Sequence, residues 1–144
     1  FATGEATDDS YMDVTGDAAK DLITSHHYSY DHDSAKNKKF VADFEKEFGT
    51  KMRPSYFAVA AYDAMSAMDQ ALKKTKGDTS GEAVMNALKG MKIESPRGPI
   101  EIDANTRDIV QNVYIRKAEL KNGKWVNVEF DKFDQVKDPA KEAK

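Results

Sequence analysis

SPRGPIEIDANTRDIVQNVYIRKAELKNGKWVNV, residues 95–128, is where the chain turns from helical to extended texture. Its later part, DIVQNVYIRKAEL (108–120) and KWVNVEF (124–130), alternates side chains in the strand sense around KNGK (121–124). Asn122-Gly123 supplies the left-handed backbone that a two-residue hairpin loop needs, so a terminal β-hairpin is expected. Upstream, MKIESPRGPIEID (91–103) holds two short strand candidates separated by SPRGP, where Pro96, Gly98 and Pro99 forbid helix and favour a tight bend. Arg97, inside that bend, reads as an exposed turn arginine, with a carboxylate partner as the alternative.

Three amphipathic helices are expected ahead of this stretch. DSAKNKKFVADFEKEFG (33–49) sets Phe40, Val41, Phe44 and Phe48 at helical spacing, with Ser34 to cap the start and Gly49 the end. RPSYFAVAAYDAMSAMDQALKKTKG (53–77) places Pro54 before a cap at Ser55 and carries a seam through Tyr56, Val59, Ala60, Tyr62 or Asp63, Met65, Met68 and Leu72. Its first half, YFAVAAYDAM (56–65), is apolar almost all round, which predicts burial on more than one side. Met65 and Met68 read as core filler, Tyr62 and Asp63 as packing and helix-solvation positions. SGEAVMNALKG (80–90) runs from a cap at Thr79 or Ser80 to Gly90 and turns Val84, Met85 and Leu88 inward.

The two ends are less regular. After the loop ATGEATDDS (2–10), Asp8 or Asp9 is expected to cap a short helix through Tyr11, Met12 and Val14 that Gly16 ends. LITS (22–25) reads as a buried strand running out into the polar connector HHYSYDHD (26–33). The tail DKFDQVKDPAKEAK (131–144) is charged and expected to fray. Three helices and a hairpin compose a small α+β unit, but the early strand has no neighbour close in sequence and an apolar helix needs a sheet to lie on. Both point to partners elsewhere.

At 144 residues and 40% hydrophobic, the chain has the size of one ordinary domain. Its 22 basic and 25 acidic side chains leave a formal charge of -3, too small a field to draw nucleic acid or anionic lipid. The absence of cysteine removes disulfides, thiolate catalysis and cysteine-ligated metal. No apolar run reaches the ~18 to 20 residues of a membrane helix, and no signal peptide is read. The start at Phe1 rather than methionine is taken as the mark of a fragment of something longer.

HHYSYDHD holds all three histidines, and with Asp31 and Asp33 it offers ligands that zinc or copper takes. In an extended run, however, His26 and His27 point to opposite sides and His32 lies across a turn, so a polar connector is preferred to a metal site. No cofactor motif is present: there is no phosphate-binding loop, no dinucleotide fingerprint, no nucleophile elbow and no zinc-protease helix. A non-enzymatic role follows.

The order of GDAAKDLITS (16–25), SYFAVAAYDAMSAMDQAL (55–72) and the stretch 95–128 resembles the C-terminal part of the periplasmic solute-binding proteins of ABC importers, in the branched-chain amino acid receptor group. That resemblance implies an α/β chain, a fragment of the type I periplasmic binding fold. The whole fold has two lobes, each a three-layer αβα unit, closing on a solute about a hinge of crossing strands, with the β-hairpin at its C-terminal end. It assigns residues 1–25 to the second lobe, 26–33 to an inter-lobe connector, 34–100 to the first lobe, 101–130 to the return strand and hairpin of the second, and 131–144 to the charged tail. On this view tyrosine or histidine in the connector lines the cleft mouth without binding metal.

The same resemblance implies the site. Glu5, in the glycine-flanked loop TGEAT (3–7), stands where receptors of this group hold a ligand ammonium, and Thr3 can donate beside it; a solvated loop glutamate is the plain alternative. Tyr56 and Phe57 stand where the family sets an aromatic against the ligand, with ordinary core packing as the alternative. The implied partners are a small amino acid or aromatic carboxylate, an ABC permease, and the rest of the parent chain or a second copy through exposed strand edges; the implied compartment is the periplasm. A ligand-sensing domain of the same fold in a signalling protein, a stand-alone α+β interaction module and a metal-binding protein are the competing classes.

Overall fold

The computed structural model describes residues 1–142. In chain order it runs β1 (Ala2–Thr3), a 3-10 turn (Gly4–Thr7), α1 (Met12–Thr15), a second 3-10 turn (Gly16–Ala19), β2 (Ile23–His26), α2 (Ala35–Phe48), α3 (Tyr56–Lys74) and α4 (Gly81–Leu88). β3 (Lys92–Ser95), β4 (Gly98–Ile102), β5 (Ile109–Lys121), β6 (Lys124–Val136) and α5 (Pro139–Glu142) follow.

The hairpin is the spine. β5 and β6 pair antiparallel from Lys121 opposite Lys124 to Gln111 opposite Val136, and the turn residues Asn122 and Gly123 both take positive φ, as a primed two-residue turn requires. β5 then serves two groups of strands. Its residues 114–117 pair antiparallel with β2, which in turn pairs parallel with β1; its residues 109–110 pair with β4, which pairs with β3. The early strand therefore finds partners 92 residues or so downstream rather than nearby, which is why local sequence could not supply them.

Packing is divided in the same way. Met12, Ala19, Ala118 and Trp125 form one apolar cluster, Tyr28, Phe40 and Val59 a second, and Ala67, Ile93 and Ile100 a third. Arg116, 1% exposed, ties the N-terminal turn to the hairpin: its guanidinium donates to the Gly4 carbonyl (3.1 Å), Thr24 Oγ1 (3.2 Å) and the Tyr28 carbonyl. α2 begins at Ser34, whose hydroxyl accepts from the Asn37 N–H, and stops at Gly49 with φ 83°; Asn37 itself is buried and donates to the Tyr30 and His32 carbonyls, fixing the connector against the helix.

Several expectations need correction. Neither Asp8 nor Asp9 caps α1: Tyr11 is its N-cap, Asp8 accepts from the Ser10 N–H, and Asp9 is buried, accepting from the Tyr30 N–H and Asn127 at 2.9 Å each. The buried stripe of α3 is Val59, Asp63, Ala67 and Ala71, spaced by four, while Met65 (70% exposed) and Met68 lie outside it, so they are not core filler in this chain. Arg97 is not an exposed turn residue: it is buried and its Nε donates to Asp63 Oδ2 at 2.7 Å, the same oxygen that accepts from the Ser95 hydroxyl. The tail does not fray from residue 131, because the far edge of β5 is open to it: Phe133 pairs with Val113, the Gln135 amide donates to Asn112, and Lys141 meets Asp108 at 2.7 Å. The tail's last two residues, 143–144, lie outside the described residues.

Candidate functional site

Because β1 and β2 are parallel, with Thr3 opposite Ser25, their carboxyl ends emerge on one edge, which is where open α/β sheets present ligand contacts. Beyond β1 the chain folds at once into the Gly4–Thr7 turn, while β2 closes with His26 and is followed by His27. Together with Gln111 and Val113 of β5, the residues Thr3, Gly4, Glu5, Ser25, His26 and His27 line a shallow depression of about 290 Å³.

The two imidazoles do not diverge as an extended run would have them. β2 ends at His26, and the rings stack with centroids 4.4 Å apart and planes 21° apart. The Tyr56 ring, at the start of α3, stands edge-on to His26 at 4.8 Å and to His27 at 5.9 Å, and Phe57 packs on Tyr56 at 4.1 Å while remaining 67% exposed. Four rings thus make a wall beside the depression. Gly4 permits the close approach, since a β-carbon there would lie 1.8 Å from His26 Cδ2.

Burial, then the positive charge of Arg116, lowers the His26 pKa to about 4; burial, then His26 itself, lowers His27 to about 3. Both are neutral near pH 7, each with one donor and one acceptor nitrogen. Glu5 is exposed, its carboxylate 4.0 Å from His26 Nε2; hydrogen bonding from its own backbone N–H and then from Thr3 holds its pKa below the usual carboxylate value. The arrangement offers a flat aromatic surface next to acceptors.

Two larger cavities, about 560 and 670 Å³, flank the third histidine, His32, which meets Glu129 at 2.8 Å. The larger is lined by Asn112 and Tyr114 of β5 rather than Gln111 and Val113, the smaller by α2 residues and by Asn127 and Val128 of β6, and neither includes a residue of β1 or β2. Size alone favours them; strand polarity and the ring wall favour the smaller depression, and those carry more chemical content. Among the described residues, no group of three or more His, Cys, Asp or Glu side chains is placed to hold a metal ion.

The sequence profile of the family described as "Periplasmic binding protein" matches residues 1–124. The chain belongs to that family. A periplasmic-binding relative, "Leu/Ile/Val-binding protein homolog 6" of Brucella abortus (strain 2308), is 36% identical over 144 residues, covering 99% of this chain and 37% of its own. Among solved structures, the solute-binding protein of an ABC transporter from Rhodopseudomonas palustris BisB5, in complex with 3,4-dihydroxybenzoic acid, superposes with a TM-score of 0.93 at 53% identity, over 96% of this chain and 38% of that one. A second, from R. palustris HaA2 in complex with p-hydroxybenzoic acid, gives 0.90 at 34% identity, over 96% and 38%. The chain therefore spans between a third and two fifths of the length of the relatives it matches.

The open mixed sheet and flanking helices are the type I architecture expected from the order of residues 16–25, 55–72 and 95–128. Thr3 and Glu5 fall together at the strand ends. Tyr56 and Phe57, distant in sequence, are brought to the same wall through the imidazoles, and the exposure of Phe57 removes its reading as a core aromatic. The stacking of His26 on His27 and the contribution of Gln111 had no local signal beyond the polar rings of the connector.

Proposed function

We propose that this chain contributes parts of both lobes of a periplasmic receptor that captures a small aromatic carboxylate and delivers it to an ABC permease. Residues 1–25 and 101–130 belong to the second lobe and 34–100 to the first, with 26–33 as the connector between them. β5, shared by the two strand groups, is then a crossing strand of the hinge. Solute favours closure by touching both lobes at once, and the permease reads the closed shape.

The observation that carries this reading is the 53% identity, over 96% of the chain, to a receptor holding 3,4-dihydroxybenzoic acid, combined with a wall of four rings at the strand ends. Thr3, Glu5, Tyr56 and Phe57 are the contact residues of this chain. A branched-chain amino acid is the second reading, favoured by the name of the Brucella relative and by Glu5 as a partner for an ammonium group. Calorimetric titration of the full-length receptor with benzoate, 4-hydroxybenzoate, 3,4-dihydroxybenzoate and leucine separates them. Micromolar or tighter binding of an aromatic acid with none for leucine is expected; the reverse pattern overturns the aromatic reading.

A further inference from the structure

The depression at the strand ends has a definite electrical character. Among the described residues that line it, none is lysine or arginine. The two arginines nearest to it are already committed: Arg97 donates to Asp63 and Gln111, and Arg116 to the carbonyls of Gly4 and Tyr28. The histidines are held neutral by burial, with Arg97 and Arg116 opposing their protonation and Glu5 and Asp8 too weak to restore it. The one full charge at the surface is the carboxylate of Glu5, which is 59% exposed on its side chain.

A benzoate carboxylate finds hydroxyl and amide groups in Thr3, Ser25 and Gln111 but no cation. It would face Glu5 with like charge and meet neutral imidazoles in place of a cation. A ring hydroxyl is the complement: it donates to a carboxylate, and a neutral imidazole can answer it as acceptor or donor while the Tyr56 edge and the stacked imidazoles border the ring.

We propose that this chain supplies the hydroxyl-reading half of the receptor's site: Glu5 accepts from a phenolic hydroxyl beside the His26–His27 pair, and the ligand's carboxylate points away, toward protein outside this chain. The assignment rests on the aromatic-acid reading above and sharpens it to hydroxybenzoates, with selectivity for the hydroxyl vested in Glu5 and His27. It also reverses the part of an acidic residue that would otherwise hold an ammonium.

The test is calorimetric, on the full-length receptor and its Glu5→Gln and His27→Phe variants, with benzoate and 4-hydroxybenzoate as paired probes. Wild type is expected to favour the hydroxylated ligand by about tenfold or more, the range of one charge-assisted hydrogen bond. Glu5→Gln, at an exposed position where folding is not at stake, is expected to shrink that ratio toward one, chiefly through loss of 4-hydroxybenzoate affinity. His27→Phe, which keeps the ring and removes its nitrogens, should narrow the ratio in the same direction. Equal losses for both ligands in Glu5→Gln, or a wild-type ratio near one, overturn the hydroxyl assignment while leaving aromatic-acid binding intact. Binding of neither aromatic acid by wild type overturns both readings.

Discussion

Gly4 lies directly beneath the His26 ring: a β-carbon at position 4 would stand 1.8 Å from Cδ2, 2.4 Å from Cγ and 2.6 Å from Cβ of the histidine. The clash reaches back to His26 Cβ, so rotating the ring does not relieve it and either the turn or the end of β2 must shift. Gly4→Ala is therefore expected to lower unfolding free energy by about 1–3 kcal/mol, the usual cost of overpacking. It should also displace the imidazole stack from Tyr56. Denaturant unfolding checks the first outcome, and a change in the His26 and His27 ring proton shifts checks the second.

Arg116 is the more demanding residue. It is almost wholly buried, among the described residues it has no carboxylate within ion-pair distance, and its nitrogens satisfy two backbone carbonyls and the Thr7 and Thr24 hydroxyls. Methionine replaces only the apolar stem and strands those acceptors, at about 1–3 kcal/mol for each buried group left unpaired. Arg116→Met is expected to lose about 3 kcal/mol or more, and Arg116→Lys to recover only part, since a point charge cannot fork to Gly4 and Tyr28 together. A denaturation midpoint within error of wild type in either variant would contradict the bracing role.

Acid should destabilise the fold through the histidine pair, against an opposing trend at Asp9. His26 and His27 have folded pKa values of about 4 and about 3, below the unfolded value near 6.5. Their contribution is whole above pH ~6.5 and is lost as pH falls through the folded values. Asp9 behaves oppositely. Burial raises it to about 6, against the lowering effect of the Tyr30 N–H and Arg116, so its contribution is present below pH ~4 and lost as pH rises through about 6. Two histidines with the larger displacements outweigh one aspartate, and net stability is expected to fall from pH 6.5 to pH 4. Asp9→Asn and His27→Gln resolve the two trends. The margin of wild type over Asp9→Asn should shrink between pH 4 and pH 7, and its margin over His27→Gln should grow across the same range.

What the sequence made legible was whatever depends on neighbours within a turn or two. Asn122-Gly123 declares its hairpin because left-handed geometry is a property of those two residues, and Ser34 and Gly49 bracket α2 for similarly local reasons. Arg97 and Arg116 were opaque because burying a cation depends on acceptors 34 and up to 112 positions away, at Asp63 and Gly4. The tail was misjudged for the same reason. Its charge argued for solvent, and solvent is where those side chains point, but the backbone of β6 was free to pair with an edge of β5 that no shorter-range pattern announces. Of the site, Glu5 and Thr3 were readable from a loop after a strand; the imidazole stack depends on how β2 ends, which periodicity does not specify.

The exposed side of α3 leads to a prediction about association. Phe57 and Met65 are 67% and 70% exposed, Met68 38%, and Ala60, Ala61 and Ala64 are exposed between them, so one flank of a 19-residue helix is apolar without a cover among the described residues. The composition of residues 56–65 called for burial on more than one side, and only the Val59–Asp63–Ala67–Ala71 stripe obtains it. An open apolar flank of this kind drives association, because water released from it is regained whichever surface closes over it. The 144-residue chain alone is therefore expected to self-associate at tens of micromolar, and Met65→Lys with Met68→Lys to return it toward monomer, since both charges fall on the open flank and spare the buried stripe. In the full-length receptor the same pair of substitutions is expected to cost stability instead, because there the flank would be filled by the rest of the first lobe. Light scattering on the short chain and thermal unfolding of the long one read the two outcomes. A monomeric short chain, or a full-length receptor indifferent to the two lysines, would show that nothing closes over this helix.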